Sequence, residues 1–250
     1  MSKLNYSDEK TKQFPLFYKI SPALYDSLHT LKERSKNIVF QITNVMYLED
    51  PGAYVNKRIA KEFEKVYAKL EQTTKRLEGK LSCPVEWAID KPGGELIYTT
   101  IRKRKPEIVF ETGIANGASS YIILSALKKN KKGRLVSTEV RKNTGQLVEG
   151  NRSRWQICIG NPRTIFTKTL DRLNRVDLFI HDSNHAYGTM LFEFTHVLKK
   201  MPSDGVIMSD DVSGNKAFIE FARRIKVRPV LFRMRYREFG ILYLNQKRKG

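Results

Sequence analysis

Pro106-Glu107-Ile108-Val109-Phe110-Glu111-Thr112-Gly113-Ile114-Ala115-Asn116-Gly117-Ala118-Ser119-Ser120-Tyr121 is the stretch that decides how this chain is read. Ile108, Val109 and Phe110 are β-branched or aromatic, and so short a run predicts a buried strand that closes at Glu111. A loop follows, with Gly113 and Gly117 four residues apart. From Ser119 and Ser120 the pattern turns helical, runs through Leu127 and ends in Lys128 and Lys129. Strand, glycine loop, helix is the opening of a nucleotide-binding α/β unit.

The loop chooses among ligands. The positions of the dinucleotide pattern G-x-G-x-x-G hold Gly113, Ala115 and Ala118, so that pattern is poorly met. The phosphate-loop pattern is absent, because no lysine follows Gly117. A carboxylate at Glu111 repels phosphate but suits a ligand carrying an ammonium and a sulfonium, which favours S-adenosylmethionine (SAM). Glu111-x-Gly113-x-x-x-Gly117-x-Ser119 resembles motif I of class I SAM-dependent methyltransferases. The resemblance implies that Glu111, Gly113, Asn116, Gly117 and Ser119 form the methionine end of a cofactor pocket. The plainer reading is that the glycines only turn a strand into a helix, and later residues must decide.

Downstream, Arg134–Glu139 reads as the second strand. Glu139 lies 22 residues after Gly117, near the spacing of roughly 20 at which a carboxylate accepts from ribose hydroxyls. Trp155–Ile159 is a third strand, and Asn161-Pro162 supplies an N-cap and a first-turn proline to the next helix. Val176–Ile180 is the fourth strand and opens on His181-Asp182-Ser183-Asn184-His185-Ala186-Tyr187. Val206–Ser209 is the fifth and ends at Asp210-Asp211. After a helix over 217–225, Val230–Tyr236 and Ile241–Leu244 form a hairpin turned by Glu238-Phe239-Gly240. The fold class is therefore α/β, a Rossmann-like, mostly parallel sheet with a C-terminal antiparallel hairpin, which is the class I methyltransferase layout.

Three carboxylates fall at the C-terminal ends of neighbouring strands: Asp182, Asp210 and Asp211. Ligands of open α/β sheets bind at this edge, and converging carboxylates call for a cation. Hard oxygen donors favour Mg²⁺. Asp182-Ser-Asn-His-Ala-Tyr187 with the Asp210-Asp211 pair resembles a branch that carries D-G-D-H-S-Y and an acidic pair, including cephalosporin-hydroxylase-like and sugar O-methyltransferase enzymes. Ser183 and Asn184 depart from that motif. The resemblance implies Asp182 near the cofactor, a metal on Asp182, Asp210 and Asp211, and His185 as base or orienter.

The totals bound the rest. At 250 residues and 40% hydrophobic, the chain has one substantial core with an appendage. We expect an N-terminal helical extension over 1–81, including a long amphipathic helix over Tyr54–Leu77, and a SAM-dependent methyltransferase domain over 82–250. Short helices are expected around Phe14–Tyr18 and Pro22–Leu31, with Asp50-Pro51-Gly52 as a breaker. Lys91-Pro92-Gly93-Gly94-Glu95 caps a helix over Leu96–Arg104. Cys83 and Cys158 match no zinc spacing, and no run approaches the roughly 18 apolar residues of a membrane span. A cytoplasmic protein is expected, with a possible homo-oligomer contact through the N-terminal helices.

The net charge of +20 draws anions, yet lysines and arginines are scattered through most of the sequence. The expected activity is methyl transfer from SAM to a hydroxyl of a small polar or anionic acceptor, with Mg²⁺. The alternatives are an RNA methyltransferase, suggested by charge alone, and a SAM-fold binding protein without catalysis. Specific nucleic-acid binding is not expected, since no appended RNA module is visible.

Overall fold

The computed structural model describes residues 48–49, 54–150, 152–234 and 237–247. The short helices expected before residue 50, the Asp50-Pro51-Gly52 breaker and the oligomer contact lie outside them. Among the described residues eight strands make one sheet: β1 (Leu48–Glu49), β2 (Ile108–Thr112), β3 (Arg134–Glu139), β4 (Trp155–Ile159), β5 (Leu178–His181), β6 (Val206–Ser209), β7 (Val227–Arg233) and β8 (Glu238–Lys247). Their order is β1-β7-β8-β6-β5-β2-β3-β4. Only β8 runs antiparallel, between β6 and β7. The chain leaves β2 towards β3 and β4, then returns to pair β5 on the other flank of β2. The order reverses there, and a crevice opens at the C-terminal ends of β2 and β5.

Alternation within the strands sorts two cores. Val109, Leu178, Ile180, Val206 and Met208 face one layer, with α1 (Lys57–Arg76), α2 (Lys91–Arg104) and α3 (Ala118–Asn130) against it. Their neighbours Phe110 and Phe179 face the other, where α4 (Pro162–Asp171), α5 (Tyr187–Leu198) and α6 (Ala217–Arg224) bring Phe166, Phe194 and Phe218. Period two puts adjacent residues on opposite faces, so continuous apolar strands need helices on both.

Helix starts follow local chemistry. Asn56 accepts from Arg58 N at 2.9 Å, Asp90 from Gly93 N at 2.9 Å, and Asn161 caps α4 ahead of Pro162. Two expectations are corrected. The Gly93-Gly94 pair lies inside the first turn of α2, which begins at Lys91. A Cβ on Gly94 would stand 2.7 Å from Ile122 Cδ1, so the glycine lets α2 and α3 pack closely. Glu238-Phe239-Gly240 is not a turn but the start of β8, paired with Arg233, Phe232 and Leu231. Gly240 leaves room there for the buried Phe218 ring, 2.5 Å from where its Cβ would be.

Among the described residues no helix is long and apolar enough to cross a membrane. The helix expected over 54–77 is α1, and its Ile59, Phe63 and Leu70 are buried in the aliphatic core with Ile97 and Ile122. Phe63 is fully buried and stacks near Tyr67 and Tyr98. Phe63→Ala is expected to lower the stability of the main unfolding transition by about 3–5 kcal/mol, read by urea denaturation. A helix that merely hung from the domain would leave that transition where it is.

Candidate active site at the C-terminal edge of the sheet

Two carboxylates hold the glycine loop. Glu111, at the end of β2, is wholly buried and accepts from Ser119 and Ser120 of α3 and from Ser137 of β3, each at 2.7 Å. Ser137 also accepts from the indole N–H of Trp155 on β4. Burial pushes the Glu111 carboxyl up, against the pull of the three hydroxyls. Glu139, at the end of β3, meets the same loop from the other side. Its Oε2 accepts from Ile114 N and Ala115 N at 3.0 and 2.9 Å, and its Oε1 from Val140 N and Arg141 N at 2.8 and 3.2 Å. Burial raises this carboxyl too, but the four backbone donors outweigh it and hold it below the usual carboxylate range.

The glycines answer to sterics. Gly113 has φ +85°, and a Cβ there would lie 2.0 Å from the carbonyl oxygen of Asp182. Gly117 has φ +91° and backs onto Gly145. Only glycine takes such backbone without strain while β5 and the 145–148 turn press this close. Ala115 adopts positive φ as well, held by the Gly145 N–H and the Thr144 hydroxyl at its carbonyl. Asn116 is buried and clasps the Cys83 backbone, donating to its carbonyl at 2.7 Å and accepting from its N–H at 3.0 Å. Glu111, Asn116 and Ser119, expected at the cofactor, thus bond within the protein in this structure.

At the ends of β5 and β6 the structure brings Asp182, His185 and Asp210 together, with one ligand atom of each within 4.8 Å of the others. His185 Nε2 lies 3.9 Å from Asp182 Oδ1, and Asn215 ties down the His185 carbonyl at 2.6 Å. Asp211 does not join the group and sits at φ +47° at the start of the next turn. Asp210 is buried; its Oδ2 accepts from Arg237, while its Oδ1 has no hydrogen-bond partner among the described residues. An ion pair ordinarily lowers a carboxyl. Here burial outweighs the Arg237 guanidinium, Asp211 and Asp90 add to it, and Asp210 is pushed up to about 6.

Sequence reasoning missed two contributors. Glu193 is buried on α5 and accepts from Thr112 Oγ1 at 2.7 Å and Ser183 Oγ at 3.2 Å, while its Oε2 lies 2.7 Å from His181 Nδ1. Its place between Met190, Phe194 and Val197 on the apolar face was the available signal. Arg237 had none, since its partners are far away in sequence. It joins Asp210 to the carbonyls of Ala88 at 3.1 Å and Glu86 at 3.4 Å. The 82–88 segment is thereby pinned at both ends, to the loop through Asn116 and to β6 through Arg237.

The raised Asp210 carboxyl sets a pH dependence. With a folded value near 6 against the ordinary 3.8, the native state retains a proton that the unfolded chain gives up between about pH 4 and 6. Stability from this group is present below pH 4 and is lost as pH rises to 6, about 3 kcal/mol in all. Without added metal, the difference in melting temperature between Asp210→Asn and the parent protein should therefore move in favour of Asn across that window and level off above it. A constant difference from pH 4 to 7.5 would show that Asp210 ionises normally.

A family model described as a methyltransferase domain matches residues 110–212. No curated protein sequence matches the chain. Among solved structures, an O-methyltransferase from Bacillus cereus in complex with SAH aligns with TM-score 0.59 at 15% identity, covering 70% of this chain and 90% of that one. The O-methyltransferase TomG from Streptomyces achromogenes, involved in tomaymycin synthesis and in complex with SAM, aligns with TM-score 0.56 at 20% identity, covering 84% and 95%. The SAH-bound Podospora anserina methyltransferase PaMTH1 aligns with TM-score 0.53 at 15% identity, covering 80% and 98%. At these identities the structural likeness carries the fold, and the sequence match carries the family of the segment. The resemblance read from the glycine loop therefore holds: residues 110–212 match a methyltransferase-domain model, and the described residues take the class I methyltransferase fold.

Proposed function

We propose that the protein transfers the methyl group of SAM to a hydroxyl of a small polar or anionic acceptor, with a divalent metal assisting. The observation that carries this reading is the meeting of the carboxylate-held glycine loop with Asp182, His185 and Asp210 on adjacent strand ends. O-Methyltransferases among the similar structures support an oxygen acceptor. When bound, SAM supplies a methyl already activated on a sulfonium. The chain's task is to align the acceptor and take its proton.

The roles divide by position. Gly113 and Gly117 let the loop backbone approach the cofactor, and Glu111, Asn116 and Ser119 keep that backbone in shape from beneath. Glu139, held ionised by its four backbone donors, is the group assigned to accept from the ribose hydroxyls, which would share its oxygens with those N–H groups. Asp182 borders both cofactor and acceptor, and His185 takes or orients the acceptor proton. For the metal, the orphaned Asp210 Oδ1 and the excess of carboxylates over the single Arg237 guanidinium make the site a fit. Asp182 and Asp210 would hold Mg²⁺ with water completing its shell; the His185 imidazole also admits Mn²⁺. Such an ion lowers the pKa of a bound hydroxyl. RNA as acceptor gains nothing from this edge, because Asp90, Asp182, Asp210 and Asp211 repel phosphates.

Calorimetry with S-adenosylhomocysteine should give micromolar affinity that neither NAD nor ATP competes away. Glu139→Ala should weaken it at least several-fold, and unchanged affinity would remove the ribose assignment. The metal is tested separately. Saturating Mg²⁺, at about a hundred times its dissociation constant, should stabilise the protein by about 2–3 kcal/mol through mass action. Asp210→Asn should abolish that gain and Asp211→Asn should retain most of it. A gain lost only in Asp211→Asn would restore Asp211 as the ligand, and no gain in any form would leave His185 to act without metal.

A further inference from the structure

Part of the positive charge that looks dispersed in the sequence collects at one end of the fold. Helices of this sheet end where the next strand begins, so helix C-termini and strand starts share its N-terminal edge. That edge receives Arg102-Lys103-Arg104-Lys105 at the end of α2, Lys128-Lys129-Asn130-Lys131-Lys132 at the end of α3, Lys199-Lys200 after α5 and Arg223-Arg224 on α6. A cavity of about 180 Å³ confirms that these ends meet, since Arg104, Lys105, Lys132 and Arg175 line it together with Pro202 and Val206.

Of the acids that line this cavity, Asp177 and Glu107 are already engaged, and exposed Asp204 lies close enough to Arg175 to act on its charge. Asp177 accepts from the N–H groups of Glu107 and Ile108 and pairs with Arg175, and Glu107 lies 3.0 Å from Lys132. Lys105, Lys128, Lys129 and Lys131 are exposed and form no ion pair among the described residues. Helix dipoles do not account for them. A C-terminus carries about half a negative charge, which one cation satisfies, whereas α3 alone ends in four lysines that repel one another.

The chemistry of the edge selects the partner. Among the described residues the exposed large hydrophobics are Val85 and Tyr187, and neither lies here. The aromatic rings beside Lys103 and Arg104, Tyr54 and Tyr243, are half-buried and Arg104 covers Tyr243, so among the described residues bases of a single strand find no open platform, and a membrane interface finds no exposed large apolar side chain. Phosphates on a regular backbone remain. From β7 to β3 the edge spans five strand intervals, about 24 Å, the length of about seven base pairs. We propose that this edge docks duplex nucleic acid through its phosphates without reading sequence, at the end of the domain opposite the acidic catalytic edge. The duplex is thus an anchor and not the methyl acceptor.

The test is fluorescence anisotropy of the full chain with a 20-base-pair RNA duplex of arbitrary sequence, titrated from 50 to 200 mM salt. K128E/K129E/K131E should bind at least tenfold more weakly at 50 mM, and its salt slope should shrink by about 3, at 0.9 per lost phosphate contact. K69E/K75E/K80E changes charge equally on α1 and the turn after it, and should bind nearly as the parent does. Melting temperature and S-adenosylhomocysteine affinity should stay unchanged in both; if the reversal variant unfolds, K128Q/K129Q/K131Q reads the same loss more gently. Absence of duplex binding, an equal loss in the α1 control, tighter binding to the single strand, or preference for phosphatidylserine vesicles over duplex would each overturn the proposal.

Discussion

Glu111 has no access to water, and the catalytic edge depends on how that charge is satisfied. Three hydroxyls from two elements converge on it, and Ser137 extends the grip to Trp155 on a third. An ionised carboxylate buried without donors costs far more than a domain can spare, so β2, β3 and α3 must dock in one relation. That relation places the loop between them within reach of Glu139, whose four backbone donors fix it from the other side. The loop is then held at both faces before any ligand arrives, which is what preorganisation means in physical terms.

The same economy of donors separates the loop from the neighbouring site. Around the loop every carboxylate oxygen has a partner, and the geometry is closed. Around Asp210 one buried oxygen has none among the described residues, and the surrounding acids outnumber the nearby cation. The first arrangement is a scaffold. The second is strained electrostatically: Arg237 offsets part of it, and the proposed divalent ion would offset more. Arg237 also holds the Ala88 and Glu86 carbonyls and so links the 82–88 segment to Asp210. Phe63→Ala and the Asp210→Asn pH series probe the two ends of this chain, core packing and site electrostatics.

Much of the fold was legible because its signals are local. Ile108–Phe110, Trp155–Ile159 and Val206–Ser209 are apolar runs of strand length, and Asn161-Pro162 announces a helix start; all stand where the pattern put them. The β7–β8 turn was misplaced because Gly240 reads locally as a turn residue, whereas its role is to clear the Phe218 ring from a distant helix. The strand-end carboxylates were legible as residue types at topological positions. Which of them converge was not: Asp211 is adjacent to Asp210 in sequence, but positive φ turns its backbone aside, and His185 takes its place in the group. Arg237, Glu193 and the Asn116–Cys83 clasp join residues far apart in the chain, and no spacing rule reports them.

Hydrogen–deuterium exchange of the full chain, with and without saturating S-adenosylhomocysteine, addresses the central claim most directly, because it asks where the ligand sits and not only whether it binds. Added protection is expected in 113–119 and 139–147, and in the pinned 82–88 segment, with the N-terminal edge around 102–107 and 128–133 unchanged. Protection confined to that basic edge, or spread evenly over the sheet, would contradict a cofactor site built on the Glu111–Glu139 loop.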